Sequence, residues 1–171
     1  MSTRVEAPLA VVYAFYVQLD HLRYVSSARR LEWCPEQGRT VSEGVEHTVR
    51  IQQAGHHIDL QFRARRVDPR VGYELEFTSW PLRGAVHLHR LEALEGDEAT
   101  RVTDVEEWRP PWYLRPIVDR KLESQHALFQ EKLENAKRLI ERVYEARGAA
   151  SFTTGIHGDA RAVGIDPIVT D

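Results

Sequence analysis

The chain has 171 residues, of which 42% are hydrophobic and 29% are charged, and its formal net charge is −3 at pH 7. This length and composition are typical of one globular domain, without the depletion of apolar residues that marks disorder. The slightly negative charge offers no basic field for a phosphate backbone, so we expect no nucleic-acid partner. Cys34 is the only cysteine, which excludes an intrachain disulfide and a cysteine-rich zinc site.

The N-terminal part begins with one strand and two short helices. Residues 2–7 alternate polar and apolar side chains, which predicts a strand that Pro8 ends. Apolar residues then recur at helical spacing over 9–17, and Asp20 can cap a second helix over 21–25. No segment has the pattern of a signal peptide or approaches the roughly 20 apolar residues that span a bilayer. We therefore expect a cytoplasmic protein without a transmembrane segment.

The middle of the chain has the pattern of a strand meander. Half-buried strands are predicted where apolar and polar residues alternate. An extended segment is predicted at 28–34. Five further strands are predicted at 45–52, 58–65, 73–78, 84–94 and 100–108. The connections between them are too short for parallel crossovers, so neighbouring strands are expected to run antiparallel.

After the two prolines at 110 and 111 the apolar pattern becomes helical. One broad apolar stripe predicts a helix over 112–147, which Gly148 ends. Such a helix is roughly 50 Å long, whereas a strand of ten residues spans only about 33 Å. The helix should therefore overhang the sheet or bend. Residues 1–147 form the predicted domain, and 148–171 form a predicted flexible tail without secondary structure.

The order of these elements resembles the helix-grip superfamily, which includes START lipid-binding domains, birch-pollen-allergen-like proteins and polyketide cyclases/dehydratases. The resemblance is closest to its bacterial cyclase/dehydrase or coenzyme Q-binding-like branch. It rests on residues 2–8 (STRVEAP), 12–15 (VYAF), 80–91 (WPLRGAVHLHRL) and 100–111 (TRVTDVEEWRPP). It implies an α+β fold in which a seven-stranded curved antiparallel sheet wraps a long C-terminal helix, with two short helices after the first strand.

The resemblance also implies a cavity between the sheet and the C-terminal helix for a hydrophobic small molecule. A curved sheet that one helix closes leaves a space that side chains need not fill, although a solid core of the same residues is the alternative. The predicted ligand-binding residues are those on the inner faces of the strands and helix: His47, Val49, Ile51, Ile58, Leu60, Phe62, Tyr73, Leu75, Phe77, Leu122, Gln125, His126, Phe129 and Leu133.

Four polar residues on two neighbouring strands form the candidate catalytic group. His87 and His89 share one face of their strand, and Asp104 and Glu106 share one face of the next. If they point inward, His89, Asp104 and Glu106 are the candidate acid–base residues. If they point to solvent, they pair weakly there, and the neighbouring valines and leucine line the interior instead. A His-x-His with two carboxylates can also bind a divalent metal, but no metal and no cofactor are predicted.

Three functions fit these patterns. The first is a protein that binds or carries a hydrophobic small molecule such as a lipid, a quinone or a polyketide-like compound. The second is a cyclase/dehydratase-type enzyme that works without a metal or nucleotide cofactor. The third is a protein-interaction module that uses the end of the long helix and the tail. The same surfaces could form a homodimer. Binding is favoured, because it does not require the inward orientation of the acid–base group.

Overall fold

The computed structural model describes residues 1–25, 31–33, 40–53, 56–80, 82–108, 115–152, 160 and 162–165. Within these ranges, the side chains at 20, 31–33, 51–53, 56, 115–126 and 128 are not described. No helix of the described part is both long and apolar enough to cross a membrane.

Seven strands and three α-helices make up the described chain. The strands are β1 (Ser2–Val5), β2 (Leu31–Trp33), β3 (Glu46–Gln53), β4 (His56–Asp68), β5 (Gly72–Phe77), β6 (Val86–Leu94) and β7 (Ala99–Glu107). The helices are α1 (Leu9–Val17), α2 (Leu22–Val25) and α3 (Arg115–Arg147). Short 3-10 turns occur at Leu19–His21, Glu95–Asp97 and Ala149–Phe152. Pro116 lies in the first turn of α3, where a missing N–H costs little because those groups have no intrahelical acceptor.

All strands belong to one antiparallel sheet with the order β1-β7-β6-β5-β4-β3-β2. The meander from β2 to β7 pairs each strand with its successor, and β1 closes the edge beside β7. A bulge between Ala64 and Arg66 in the long strand β4 bends that strand. The predicted α+β fold with seven antiparallel strands and a long C-terminal helix is thus confirmed.

The core lies between one face of this sheet, called the inner face here, and the helices α1 and α3. α1 is apolar over almost its whole length because it is covered on one side by the sheet and on another by α3. The stripe of α3 places Leu133, Ala136, Leu139, Ile140 and Val143 in the core. Full burial of one large apolar side chain contributes about 1.5–3 kcal/mol. This packing fixes α3 across the inner face.

The chain after α3 returns to the core. Gly148, with φ of +73°, ends the helix and donates its N–H to the carbonyl of Tyr144. The Phe152 side chain is only 1% exposed, and its carbonyl accepts a hydrogen bond from the Gln18 side chain. The prediction of a tail without secondary structure is therefore wrong for Ala149–Phe152. Ala160 is also buried. The remaining tail lies largely outside the described residues, and the homodimer stays a prediction.

Gly72 allows β5 and β6 to approach each other behind the inner face. Its φ is +112°, and a Cβ at this position would lie 1.9 Å from the backbone oxygen of His89. Gly84 has a similar φ of +81°, but no atom lies within 4 Å of the corresponding Cβ position. Both glycines thus adopt a positive φ that residues with a Cβ rarely adopt. Only at Gly72 would a Cβ also clash with the neighbouring strand.

The variant Gly72→Ala is expected to lose about 1–3 kcal/mol more of its free energy of unfolding than Gly84→Ala. Each variant bears a backbone cost of roughly 1–2 kcal/mol for a left-handed residue with a Cβ. In Gly72→Ala the new methyl group must also push β5 away from β6. Urea unfolding curves of the two variants measure the difference. Equal losses would contradict the close approach of the two strands.

Candidate functional site

The candidate catalytic residues on β6 and β7 face inward. His87, His89 and Asp104 are 9%, 3% and 6% exposed. His89 lies directly opposite Asp104 in the register of the two strands, and His87 lies opposite Glu106. On the other side, His87 pairs with Leu75 and His89 with Tyr73, both of which are buried. The solvent-facing interpretation is therefore wrong for these three residues.

Asp104 is the centre of the site. One carboxylate oxygen, Oδ1, lies against Nδ1 of His89 and 3.6 Å from Nε2 of His87. The other oxygen, Oδ2, lies 3.4 Å from the ammonium group of Lys132 on α3. The Lys132 side chain is only 13% exposed. Two strands and the long helix thus bring a carboxylate, two imidazoles and one ammonium group together. We call His87, His89 and Asp104 the His–Asp cluster.

Burial sets the charge state of the cluster. It lowers the pKa of His89 to about 4, although the Asp104 carboxylate beside it acts in the opposite direction. Burial would raise the pKa of Asp104, but His89 and Lys132 outweigh it and hold that pKa well below its ordinary value. At neutral pH the site therefore contains a neutral His89 imidazole and an ionised carboxylate that faces Lys132.

Aromatic rings surround the two imidazoles. The ring of His89 lies 4.5 Å from that of Tyr73, 5.2 Å from that of Tyr16 and 4.4 Å from that of His87, measured between centroids. Phe129 of α3 contacts His87 edge-on at 6.3 Å. Burial, together with the charge of Asp104, raises the pKa of both tyrosines well above the ordinary value. Both phenols are thus neutral hydrogen-bond donors.

The other predicted ligand-binding residues fall into three groups. Those that are buried in the structure are His47, Val49, Phe62, Tyr73, Leu75 and Leu133. Those that are partly buried are Ile58, Leu60, Phe77 and Phe129. Those whose side chains lie outside the described residues are Ile51, Leu122, Gln125 and His126. Glu106 is partly buried, and its buried Oε2 has no hydrogen-bond partner among the described residues.

Sequence reasoning missed three polar side chains that line the same interior. Lys132 stands three residues after Phe129 and four before Ala136, so helical spacing was the available signal. Tyr16 lies on the buried side of α1, and its hydroxyl has no hydrogen-bond partner among the described residues. His21 is 1% exposed, and its Nδ1 is hydrogen-bonded to the carbonyl of Gln18 at 2.6 Å.

Fold and site together define a helix-grip α+β protein with a buried polar cluster at the centre of its inner face. No family model and no curated protein match the sequence. Solved structures do match. The KanY protein is 14% identical with a TM-score of 0.62, and the match covers 82% of this chain and 94% of that one. The polyketide cyclase-like protein Cgl2372 from Corynebacterium glutamicum is 19% identical with a TM-score of 0.52 and coverages of 86% and 91%.

A third match is the di-domain ARO/CYC protein BexL from the BE-7585A biosynthetic pathway. It is 14% identical with a TM-score of 0.60, and the match covers 84% of this chain and 46% of BexL. Matches at identities this low show a shared fold only. They do not show a shared function, because one fold can carry many different functional sites. The comparisons therefore confirm the helix-grip fold that the sequence predicts, and the fold alone.

Proposed function

We propose that the protein binds a small molecule with a largely apolar body between the inner face of the sheet and α3. In this proposal the His–Asp cluster receives a carbonyl or hydroxyl group of the ligand. The observation that carries it is a set of buried polar atoms without hydrogen-bond partners among the described residues. This set contains Nε2 of His87, both ring nitrogens of His47 and the hydroxyl of Tyr16.

Buried polar atoms without partners lower the stability of a protein that binds no ligand. Leaving one buried donor or acceptor unsatisfied costs about 1–3 kcal/mol, and buried polar groups are therefore almost always paired. A ligand that brings its own oxygen atoms, with or without bridging water, removes this cost. The unpaired atoms lie among aromatic and aliphatic side chains such as Tyr73, Leu75 and Phe129, which suit a flat apolar body.

The positions of the polar atoms favour an elongated ligand. His47 lies on β3 and His87 on β6, three strand spacings apart in the sheet. At about 4.8 Å per spacing this separation is about 14 Å along the sheet. A ligand that reaches both histidines needs polar groups at two distant points of an apolar skeleton. Quinones and polyketide-like aromatic compounds have this distribution of oxygens, so we favour them over simple lipids.

The test uses 2-acetonaphthone, a flat aromatic ketone with one carbonyl, as the probe in isothermal titration. His87→Phe is expected to raise its dissociation constant about five- to tenfold, because the ring is kept and one hydrogen bond is lost. Glu92→Gln, at an exposed position of the same strand, is the matched control and should bind as the unchanged protein does. Absence of saturable binding, or equal affinity in all three proteins, would refute the proposal. If the proposal is correct, native mass spectrometry of protein purified from its own host should also reveal a bound apolar small molecule.

The inward orientation of the His–Asp cluster favours one second function, an enzyme that moves protons at a carbon beside a carbonyl. A neutral imidazole can take the proton, and the carboxylate stabilises the resulting imidazolium. His89, Asp104 and Glu106 keep their proposed roles as the acid–base residues of this reaction. Deuterium exchange into the methyl group of the same ketone, followed by NMR, separates the two functions. Exchange that Asp104→Asn slows without weakening binding supports the enzyme, and exchange no faster than in buffer supports a carrier.

A further inference from the structure

We propose that Nε2 of His87, Nδ1 of His89 and Oδ1 of Asp104 together bind one divalent transition-metal ion. The remaining coordination positions of the ion would face the interior between the sheet and α3. This site goes beyond the proposed function, in which Nε2 of His87 contacts the ligand in the metal-free protein and no ion is required. It also replaces the expectation from the sequence that the chain has no metal.

The geometry of the three atoms is close to that of a metal site. One ligand atom from each of the three residues lies within 4.8 Å of the other two, and His87 Nε2 lies 3.6 Å from Asp104 Oδ1. Ligand atoms about 2.1 Å from a shared ion lie about 3.4 Å apart in a tetrahedral site. Small rotations of the side chains are therefore sufficient. The backbone already holds them in place, because His89 and Asp104 are direct partners in the β6–β7 register and His87 is two residues away on the same face.

The second observation is that each of these three atoms is buried without a hydrogen-bond partner among the described residues. In the metal-free protein His89 Nδ1 and Asp104 Oδ1 are in contact with each other, which still leaves Nε2 of His87 without a hydrogen-bond partner among the described residues. One cation satisfies all three at once, since imidazole nitrogen and carboxylate oxygen are ordinary metal ligands.

The donor set selects the class of metal. Two imidazoles and one carboxylate suit Zn²⁺, Fe²⁺, Co²⁺ or Ni²⁺, whereas Mg²⁺ and Ca²⁺ require oxygen ligands. The rings of Tyr73, Tyr16 and Phe129 pack around the two imidazoles and limit their rotation. Three protein ligands leave at least one position open in a four-coordinate site, which is the arrangement of zinc sites that act on a bound molecule.

Lys132 modulates the site. Its ammonium group contacts Oδ2 of Asp104 at 3.4 Å and leaves Oδ1 to the metal. A positive charge so near the cation must weaken its binding, because like charges in a buried site repel strongly. Lys132→Gln is therefore expected to bind the metal at least about tenfold more tightly than the unchanged chain. A gain of affinity is a result that loss of folding cannot imitate.

The experiment is a titration of the full chain with Co²⁺ after treatment with EDTA and removal of the chelator. A Cys34→Ser background eliminates thiolate ligation. One equivalent of Co²⁺ should bind and produce visible d–d absorption bands. His87→Gln and His89→Gln should each weaken Co²⁺ binding at least about 100-fold. Loss of a residue that only hydrogen-bonds to a metal ligand already weakens metal binding by up to about 100-fold, and loss of the ligand itself should weaken it at least as much. His57→Gln, at an exposed position of β4, is the control for adventitious histidine binding.

Three results would overturn the proposal. The first is binding that His57→Gln weakens as much as His87→Gln does. The second is binding of less than one-tenth of an equivalent of Co²⁺ by the unchanged chain. The third is a Lys132→Gln variant that folds, by circular dichroism, but binds Co²⁺ no more tightly. The ketone titration described above is performed with EDTA present, so that its outcome is independent of the metal.

Discussion

The variant Asp104→Leu is expected to lose about 3–5 kcal/mol of its free energy of unfolding, the cost of breaking a buried ion pair from one side. The loss arises because Lys132 would keep its positive charge at a site where its side chain is only 13% exposed. In the double variant Asp104→Leu/Lys132→Met both charges are absent, and apolar side chains fill the space. Most of the lost stability should then return, because a buried pair and a well-packed apolar pair are often nearly equal in free energy.

Urea unfolding of Asp104→Leu, of Lys132→Met and of the double variant forms a double-mutant cycle. The cycle measures the coupling free energy between the two side chains. The exposed pair of Glu92 and Arg101, whose side chains are 63% and 50% exposed, provides the comparison. Glu92→Gln should change stability by no more than about 1 kcal/mol. Additive losses at Asp104 and Lys132 would contradict a coupled buried pair. The double variant, although restored in stability, is also expected to lose metal binding, which would show that the charges are kept for function and not for stability.

The sequence predicted the strands well because each has a clear alternation, but it left the face of β6 open. The reason is physical. In β6 the two faces carry Val86 and Leu88 on one side and His87, His89 and Leu91 on the other, so hydrophobicity alone does not choose between them. The choice follows from the register with β5, in which His89 is the partner of Tyr73. Register depends on the hydrophobic pattern and on the connection between the strands, and here the hydrophobic pattern does not favour one face.

The site and the core around it could be predicted only in part, because one residue of the site and one residue of the core come from distant segments. Lys132 meets Asp104 across 28 residues of sequence, and although its helical spacing from Phe129 and Ala136 was an available signal, nothing in the sequence indicates its partner. Phe152 follows the end of α3 in a segment without periodicity, and a single apolar residue produces no pattern. Both are consequences of tertiary packing, which determines the neighbours of a side chain more than its local sequence does.

Acidification is expected to destabilise the protein through His21. Burial lowers the pKa of this imidazole to about 3, and the positive charge of Lys132 acts in the same direction. In the unfolded chain its pKa is about 6.5. Between these two values the unfolded chain binds a proton that the folded protein does not bind. Stability therefore falls as the pH falls, by about 1.4 kcal/mol per pH unit for this group. From pH 7 to pH 4.5 its contribution is about 3 kcal/mol.

The variant His21→Phe isolates this contribution. The phenyl ring keeps the packing against Phe15 and Tyr16, but the hydrogen bond to the Gln18 carbonyl is lost. We expect the variant to be about 1 kcal/mol less stable at pH 7 and to lose less stability than the unchanged protein on acidification. His89 and Asp104 titrate in both proteins, so their effects cancel in the difference. Gly84→Ala, which is destabilised but gains no titratable difference, should keep the original slope. Parallel slopes for His21→Phe and the unchanged protein would show that His21 is not a buried neutral imidazole.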